Sequence, residues 1–356
     1  MSARSSHHVL SSHDGREVHF HHRDELRRKL VDSSGNPIAR RIARLPAEHV
    51  APTALPTDCT GDAGFQEDVA GNSTYGDCGA AMADHSDTIL TYGQGKPGFG
   101  PQLVAPDGPL VAQYLQIAGG DNGLTEENIT GPGGLWRVGV AGNTSAVIAD
   151  AMDISPTDVQ LRRYATDQFF VVCMGWSVPD AFINGFKTGA SFLSPGIANP
   201  NNGHWTPLSD LDASGSTRIF TWGGWAWASD SFLASVDPDY FVVFSHLQFN
   251  SQGYDSHGRH VSEQAAKWKL LGGNGPAVDA VTAMFPPAQP TTPPPPASAP
   301  PAPPAPASTP PAPPAPTPST PPAAPSAGKC AVSAKGWECP LPKGHPGACP
   351  AVRSPS

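Results

Sequence analysis

Residues 72–84 read Asn72-Ser73-Thr74-Tyr75-Gly76-Asp77-Cys78-Gly79-Ala80-Ala81-Met82-Ala83-Asp84, and this stretch sets how the rest of the chain is understood. Gly76-Asp77 is a turn signal, and the small residues after it suit the opening of a helix predicted over Ala80 to Tyr92. Cys78 therefore falls near a helix N-terminus, where peptide N–H groups and the helix dipole favour thiolate over thiol. Small neighbours leave the sulfur accessible to a carbonyl carbon. Asn72, six residues upstream, carries an amide able to donate to a developing oxyanion. The competing reading is a buried structural thiol, since cysteine is among the most buried residue types. A general base elsewhere in the chain decides between the two.

Of 356 residues, 42 are proline and only 15% are charged, so much of the chain is not core. The prolines concentrate near the C-terminus. They separate a globular unit over residues 51–285, roughly 235 residues, from the C-terminal remainder. The net charge of −9 excludes the concentrated positive field that phosphate binding requires, so neither nucleic acid nor a membrane surface is an expected partner. Met1 to Leu30 contains no apolar stretch of the secretory kind, which gives an expectation of synthesis in the cytosol. Six scattered and clustered cysteines do not read as a disulfide framework.

Residues 1–50 read as a polar N-terminal arm. It contains His7, His8, His13, His19, His21 and His22, a set that metal ions can bind but that no apolar pattern fixes in place. A short helix is expected at Asp24 to Leu30. Beyond Cys78, Pro109 to Ala118 reads as a second helix, and Ser155-Pro156 as the capped start of a third that runs to about Thr166. Phe169 to Trp176 is a continuous apolar run of strand length, with Cys173 packed inside it. Arg218 to Trp222 and Tyr240 to Leu247 read as further strands. Helices first and strands afterwards give an α+β fold. Residues 286–328 are almost purely Pro, Ala, Ser and Thr, and read as an extended spacer or, alternatively, a proline-rich ligand for a partner.

The base is His204, in Asn202-Gly203-His204-Trp205 at the head of a predicted strand. Glycine before it admits close approach, so its imidazole is placed to reach a thiol on a helix N-terminus. From Ala51 to Phe249, the order Gly71-Asn72…Tyr75-Gly76-Asp77-Cys78, then Gly203-His204, then Thr221-Trp222-Gly223 resembles the papain-like cysteine peptidases, and more closely a bacterial and phage-associated branch of them. The resemblance implies a helical subdomain carrying the nucleophile, packed on an antiparallel sheet subdomain carrying the histidine. It implies hydrolysis of peptide or related amide bonds in a peptide or protein substrate, with no cofactor for catalysis. Residue by residue, it makes Cys78 the nucleophile, His204 the base, Asn72 the oxyanion donor in place of a glutamine, and Trp222 the shield over the histidine. Gly76 and Trp222 are the implied substrate contacts. Where the family has an asparagine, Thr221 stands, and its hydroxyl is expected to accept from imidazole Nδ1–H; Asp210 and Asp212 are the alternative orienting groups. These departures keep a second reading open, a papain-like scaffold whose chemistry has lapsed and which serves as a binding or phage structural protein.

Residues 329–356 form a small Cys/His tail in which Cys330, Cys339, His345 and Cys349 are separated by eight, five and three residues. Four such ligands can close a tetrahedral Zn²⁺ site, and so short a segment has little apolar surface with which to fold otherwise. Free thiols or one disulfide in an unstructured tail are the alternative. The proline-rich segment and this tail are also where a protein partner is expected to bind.

Overall fold

The computed structural model describes residues 8–11, 17–27, 41–45, 70, 74–91, 103–131, 133–143, 148–212, 214–285, 287, 337–338 and 352–353. The chain divides into two compact units, Met1–Pro290 and Thr291–Ser356. In the first, β1 (His8–Ser11) and β2 (Glu17–Phe20) form an antiparallel hairpin that leads into the one-turn helix α1 (Arg23–Leu26). The long helix α2 (Cys78–Thr91) comes next, then α3 (Asp107–Ala118) and the short helices α4 (Glu126–Thr130) and α5 (Leu135–Val138). The remaining elements alternate: β3 (Ile148–Ile154), α6 (Val159–Phe169), β4 (Val172–Ser177), α7 (Asp180–Gly185), β5 (Ala190–Phe192), β6 (Gly203–Leu211), β7 (Thr217–Thr221) and β8 (Gly224–Ala228). They end with α8 (Asp230–Ser235), β9 (Asp239–Ser245), α9 (Val261–Leu270) and α10 (Gly275–Thr282).

Seven strands make one sheet in the order β3-β9-β4-β6-β7-β8-β5, antiparallel at every pairing except the parallel edge contact of β5 with β8. The fold is α+β, as expected, although a hairpin precedes the helices and strands and helices are interspersed from β3 onward rather than following as a block.

Both faces of this sheet are covered, and the period of two along each strand sorts residues between two cores. On β4, Val172, Met174 and Trp176 enter one core while Cys173 enters the other; on β9, Val242 and Phe244 oppose Phe241 and Val243 in the same way. The first core also takes Phe20, Trp222 and Trp268. The second holds α2, Trp136, Trp205 and Phe220. Burying each such aromatic contributes about 1.5–3 kcal/mol, which makes these two layers the main stabilising term. Helix α2 is buried from Cys78 to Leu90, polar residues included, so its side chains bond inward: Asp84 Oδ1 accepts from Ala105 N–H at 2.7 Å, and Ser86 Oγ donates to the Met82 carbonyl at 2.7 Å.

Three expectations shift. The third helix starts at Val159 rather than at Pro156, because Asp158 is the residue whose carboxylate accepts from Leu161 N–H, while Ser155 to Asp158 close a turn. The apolar run from Phe169 is strand only from Val172, since Phe170 takes a left-handed φ of 67° after the helix. Most consequential is the N-terminus, read from sequence as a polar arm over residues 1–50. Among its described residues Val18, Phe20, Leu26 and Ala43 lie within the cores, with Arg23 and His21 buried beside them. Their polar groups find tertiary partners that a local sequence pattern does not show.

In the second unit, Trp337–Glu338 and Val352–Arg353 pair as two short antiparallel strands. Residues 286 and 288–328, and the ligand set Cys330, Cys339, His345 and Cys349, lie outside the described residues.

Candidate active site

Cys78 is the first residue of α2 and is completely buried. The backbone N–H groups of Trp205 and Gly79 are directed at its sulfur. These favour thiolate, as does the nearby Arg23 guanidinium, but burial outweighs them and, with the Asp77 carboxylate, pushes the thiol up to about 12. Cys78 is therefore a neutral thiol at pH 7 in this arrangement.

His204 is the second residue of β6, opposite Trp176 on β4. Its neighbour Trp205 lies in the core with Cys78, whereas the His204 ring lies among residues of the opposite core: 5.1 Å between ring centroids to Trp222, 5.8 Å to Phe20 and 6.5 Å to Trp176. Strand alternation explains the split, since consecutive residues leave opposite faces. The expected packing of Trp222 on His204 is present in the geometry. Thr221 is there too, but its hydroxyl bonds Nε2 of His204, at 2.6 Å, and not Nδ1 as the sequence reading supposes. Nδ1 has no hydrogen-bond partner among the described residues, so no thiol–imidazole hydrogen bond is formed. Burial, aided by His85, pushes His204 down to about 3 and keeps the ring neutral.

A small cavity at the head of β6 joins the two elements. Ala81, Met82 and His85 of α2 line it together with His204, Trp205, Phe220, Thr221 and Trp222. His85 lies seven residues after Cys78, the spacing that returns to the same helix face, and this was the signal available for it in the sequence. Asp210 and Asp212 do not act on His204. Asp210 pairs with Arg218 at 3.4 Å, and Asp212 accepts from Ser214 and Ser216 N–H in the β6–β7 turn. Asn72 lies outside the described residues.

The N-terminal segment crosses this site. Phe20 stands edge-on to Trp222 and His204. The next residue, His21, bridges Gly203: Gly203 N–H donates to the His21 carbonyl at 2.8 Å. His21's ring lies against Gly76, the expected substrate contact, so closely that a Cβ there would stand 2.0 Å from Nε2. Arg23 then passes over the Trp205 ring, 5.6 Å from its centroid, and donates to the Gly175 carbonyl and to Asp239 Oδ2, each at 2.6 Å. Gly175 is required there, because a Cβ would stand 2.6 Å from the Trp205 ring and 2.8 Å from Arg23 Nη1. Burial lowers the Arg23 guanidinium to about 10, so it stays charged at pH 7. Phe20 thus meets the His204 ring, His21 and Arg23 meet its neighbours Gly203 and Trp205, and His21 also meets Gly76, two residues before Cys78; nothing in the sequence pattern of the N-terminus signalled it.

No group of three or more His, Cys, Asp or Glu side chains suited to a metal ion occurs among the described residues, and no described helix is long and apolar enough to cross a membrane. No protein-family model matches the chain, and no curated protein matches its sequence. Among solved structures, the chain is similar to xylellain, a cysteine protease from Xylella fastidiosa, at 12% identity and a TM-score of 0.40, over 62% of this chain and 96% of that one. It is also similar to a chain from a study of antibody cross-reactivity between the mite allergens Blo t 1 and Der p 1, at 14% identity and a TM-score of 0.38, over 58% of this chain and 74% of that one.

Proposed function

We propose that this chain is a papain-like, thiol-dependent hydrolase of peptide or related amide bonds, held in a latent arrangement. The observation that carries the reading is the placement of Cys78 at the N-terminus of α2, with its sulfur under the N–H of Trp205, the residue after His204. In the active form Cys78 attacks the substrate carbonyl, and its thiol proton passes to His204 and from there to the leaving amine. The Cys78 N–H and the Asn72 amide hold the oxyanion. Thr221 positions the imidazole behind Trp222. No cofactor takes part in these steps. Reaching that form requires the Phe20–Arg23 crossing to leave and the His204 ring to turn its free Nδ1 toward the sulfur.

A second reading has its own support: a neutral buried thiol, a neutral buried imidazole and no bond between them are also what a lapsed scaffold retains. Such a protein would bind a partner or serve in a phage particle. Labelling with a peptidyl electrophile separates the two. The full-length chain, tested before and after limited proteolysis, should gain a Cys78 adduct and amidase activity together, and Cys78→Ala should lose both. Release of the N-terminal segment with intact fold and no adduct at Cys78 would favour the lapsed scaffold.

A further inference from the structure

The site that holds His21 has more structure than shielding a thiol requires. His21 is fully buried, and two glycines from separate loops make room for its ring. A Cβ on Gly76 would stand 2.0 Å from Nε2, and one on Gly123 would stand 2.9 Å from Cδ2. Gly123 also has a φ of +74°, so its loop turns there in a way that glycine adopts without strain. One wall is a fixed carboxylate. Asp121 Oδ1 accepts from Gly76 N–H at 3.0 Å and from the Tyr114 hydroxyl, and Tyr114 Oη in turn accepts from Gly123 N–H at 3.1 Å. Asp121 Oδ1 lies 3.7 Å from His21 Nε2. The other acidic neighbour, Glu25, whose Oε2 is 3.8 Å from His21 Nδ1, belongs to the same N-terminal segment as its occupant and would leave with it. Asp121 stays.

The backbone of the occupant is held as an extended peptide is held. His21 pairs antiparallel with Gly203, the first residue of β6 and the one before His204, while Gly76 lies two residues before Cys78. Main-chain pairing at a strand end, with the intervening side chain in a pocket, is how extended peptides are recognised. We infer that Gly76, Gly123, Tyr114 and Asp121 form a side-chain subsite of the hydrolase proposed above, selective for a basic residue of the substrate, and that His21 is its internal occupant. This rests on the hydrolase reading for its placement beside the reacting bond. The preference rests on Asp121, since a carboxylate held in place by two donors attracts a cationic side chain, gains nothing from an apolar one and repels an acidic one.

The test uses the full-length chain with His21→Ala, which empties the subsite, and the same variant carrying Asp121→Asn. Binding of Nα-acetyl-arginine amide, Nα-acetyl-leucine amide and Nα-acetyl-glutamate amide is measured by calorimetry. Peptidyl epoxides bearing the same three side chains, and iodoacetamide, are then scored for Cys78 adducts by mass spectrometry. The arginine ligand should bind His21→Ala at least about tenfold more tightly than either other ligand, and Asp121→Asn should erase the difference. Equal binding of the three amides, or a preference that survives Asp121→Asn, overturns the subsite. Arginine-selective binding without epoxide labelling overturns the hydrolase reading and leaves a basic-side-chain site, so the two failures are distinct. If His21→Ala does not fold, His21→Arg and His21→Glu replace it. The subsite requires His21→Arg to melt within a few degrees of the native chain and His21→Glu well below it, and the reverse order overturns it.

Discussion

Arg23 and Asp239 join the N-terminal segment to the strand β9 of the central sheet: Arg23 Nη2 donates to Asp239 Oδ2 at 2.6 Å, across 216 positions of sequence. The same guanidinium bonds the Gly175 carbonyl and covers Trp205, whose N–H is directed at Cys78. Arg27 reinforces the contact from the surface, with Nε 2.8 Å from the same Asp239 oxygen. Arg23, the buried member, is the one packed on Trp205 and the one whose charge acts on the Cys78 sulfur.

Arg23→Ala should therefore expose Cys78. Because Asp239 remains partly solvated, the loss of stability falls at or below the lower end of the range for breaking a buried pair, about 2–3 kcal/mol. Alkylation of Cys78 by iodoacetamide at pH 7 should rise at least about tenfold, while Arg27→Ala changes it less than about threefold. Equal rates in native chain and Arg23→Ala, with the stability loss present, would show that another element shields the sulfur.

Thr221 makes the one ring hydrogen bond of His204 among the described residues, so replacing it by valine keeps the shape and deletes the partner of Nε2. Urea unfolding should show a loss of about 1–3 kcal/mol for Thr221→Val and under about 1 kcal/mol for Thr221→Ser. In the proposed mechanism Thr221→Asn should keep or raise activity, because a carboxamide oxygen orients an imidazole more firmly than a hydroxyl. A folded Thr221→Asn that loses activity more than about tenfold would move the positioning role to another residue.

The tail carries a prediction of its own, argued from sequence. Between Lys329 and Ser356 the large apolar residues are Val332, Trp337, Leu341 and Val352, too few to fold by burial. We propose that one Zn²⁺ binds through Cys330, Cys339, His345 and Cys349. A peptide of residues 329–356 should become ordered on adding Zn²⁺ and release protons as its thiols ionise. Absence of binding under reducing conditions, or a stable disulfide among these cysteines in native material, would count against the site.

Sequence alone revealed the elements of the site better than their orientation. Trp222 against His204 came only from the family resemblance, whereas Cys78 on a helix and His204 on a strand come from local signals: a turn, small residues and an apolar run. Which face of β6 His204 takes does not, because Gly-His-Trp-Thr places chemistry on one side and an indole on the other with no local rule for choosing between the cores. The N-terminal crossing was illegible for a related reason. His21 and Arg23 read as solvated residues, and only partners far along the chain, Asp121, Gly175 and Asp239, make their burial favourable. Strand β3 was missed because Ile-Ala-Asp-Ala-Met-Asp-Ile buries alternate residues with few large side chains, a weak signal until its place beside β9 is known.

His204 gives the last prediction, on pH. Its folded pKa is about 3, lowered by burial and then by the charge of His85, against 6.5 when unfolded. A group whose folded pKa is depressed leaves stability intact above its unfolded value; below it, the unfolded chain takes up the proton first and stability falls until the folded pKa is reached. The window is thus from pH 6.5 down to 3. Between about pH 7 and about pH 4 the native chain should lose about 3 kcal/mol through this one residue. His204→Gln, although less stable at neutral pH, should show a correspondingly shallower decline in urea unfolding across the same range. Parallel declines in the two proteins would mean that some other buried group takes up the proton, and that His204 is not held neutral by the core around it.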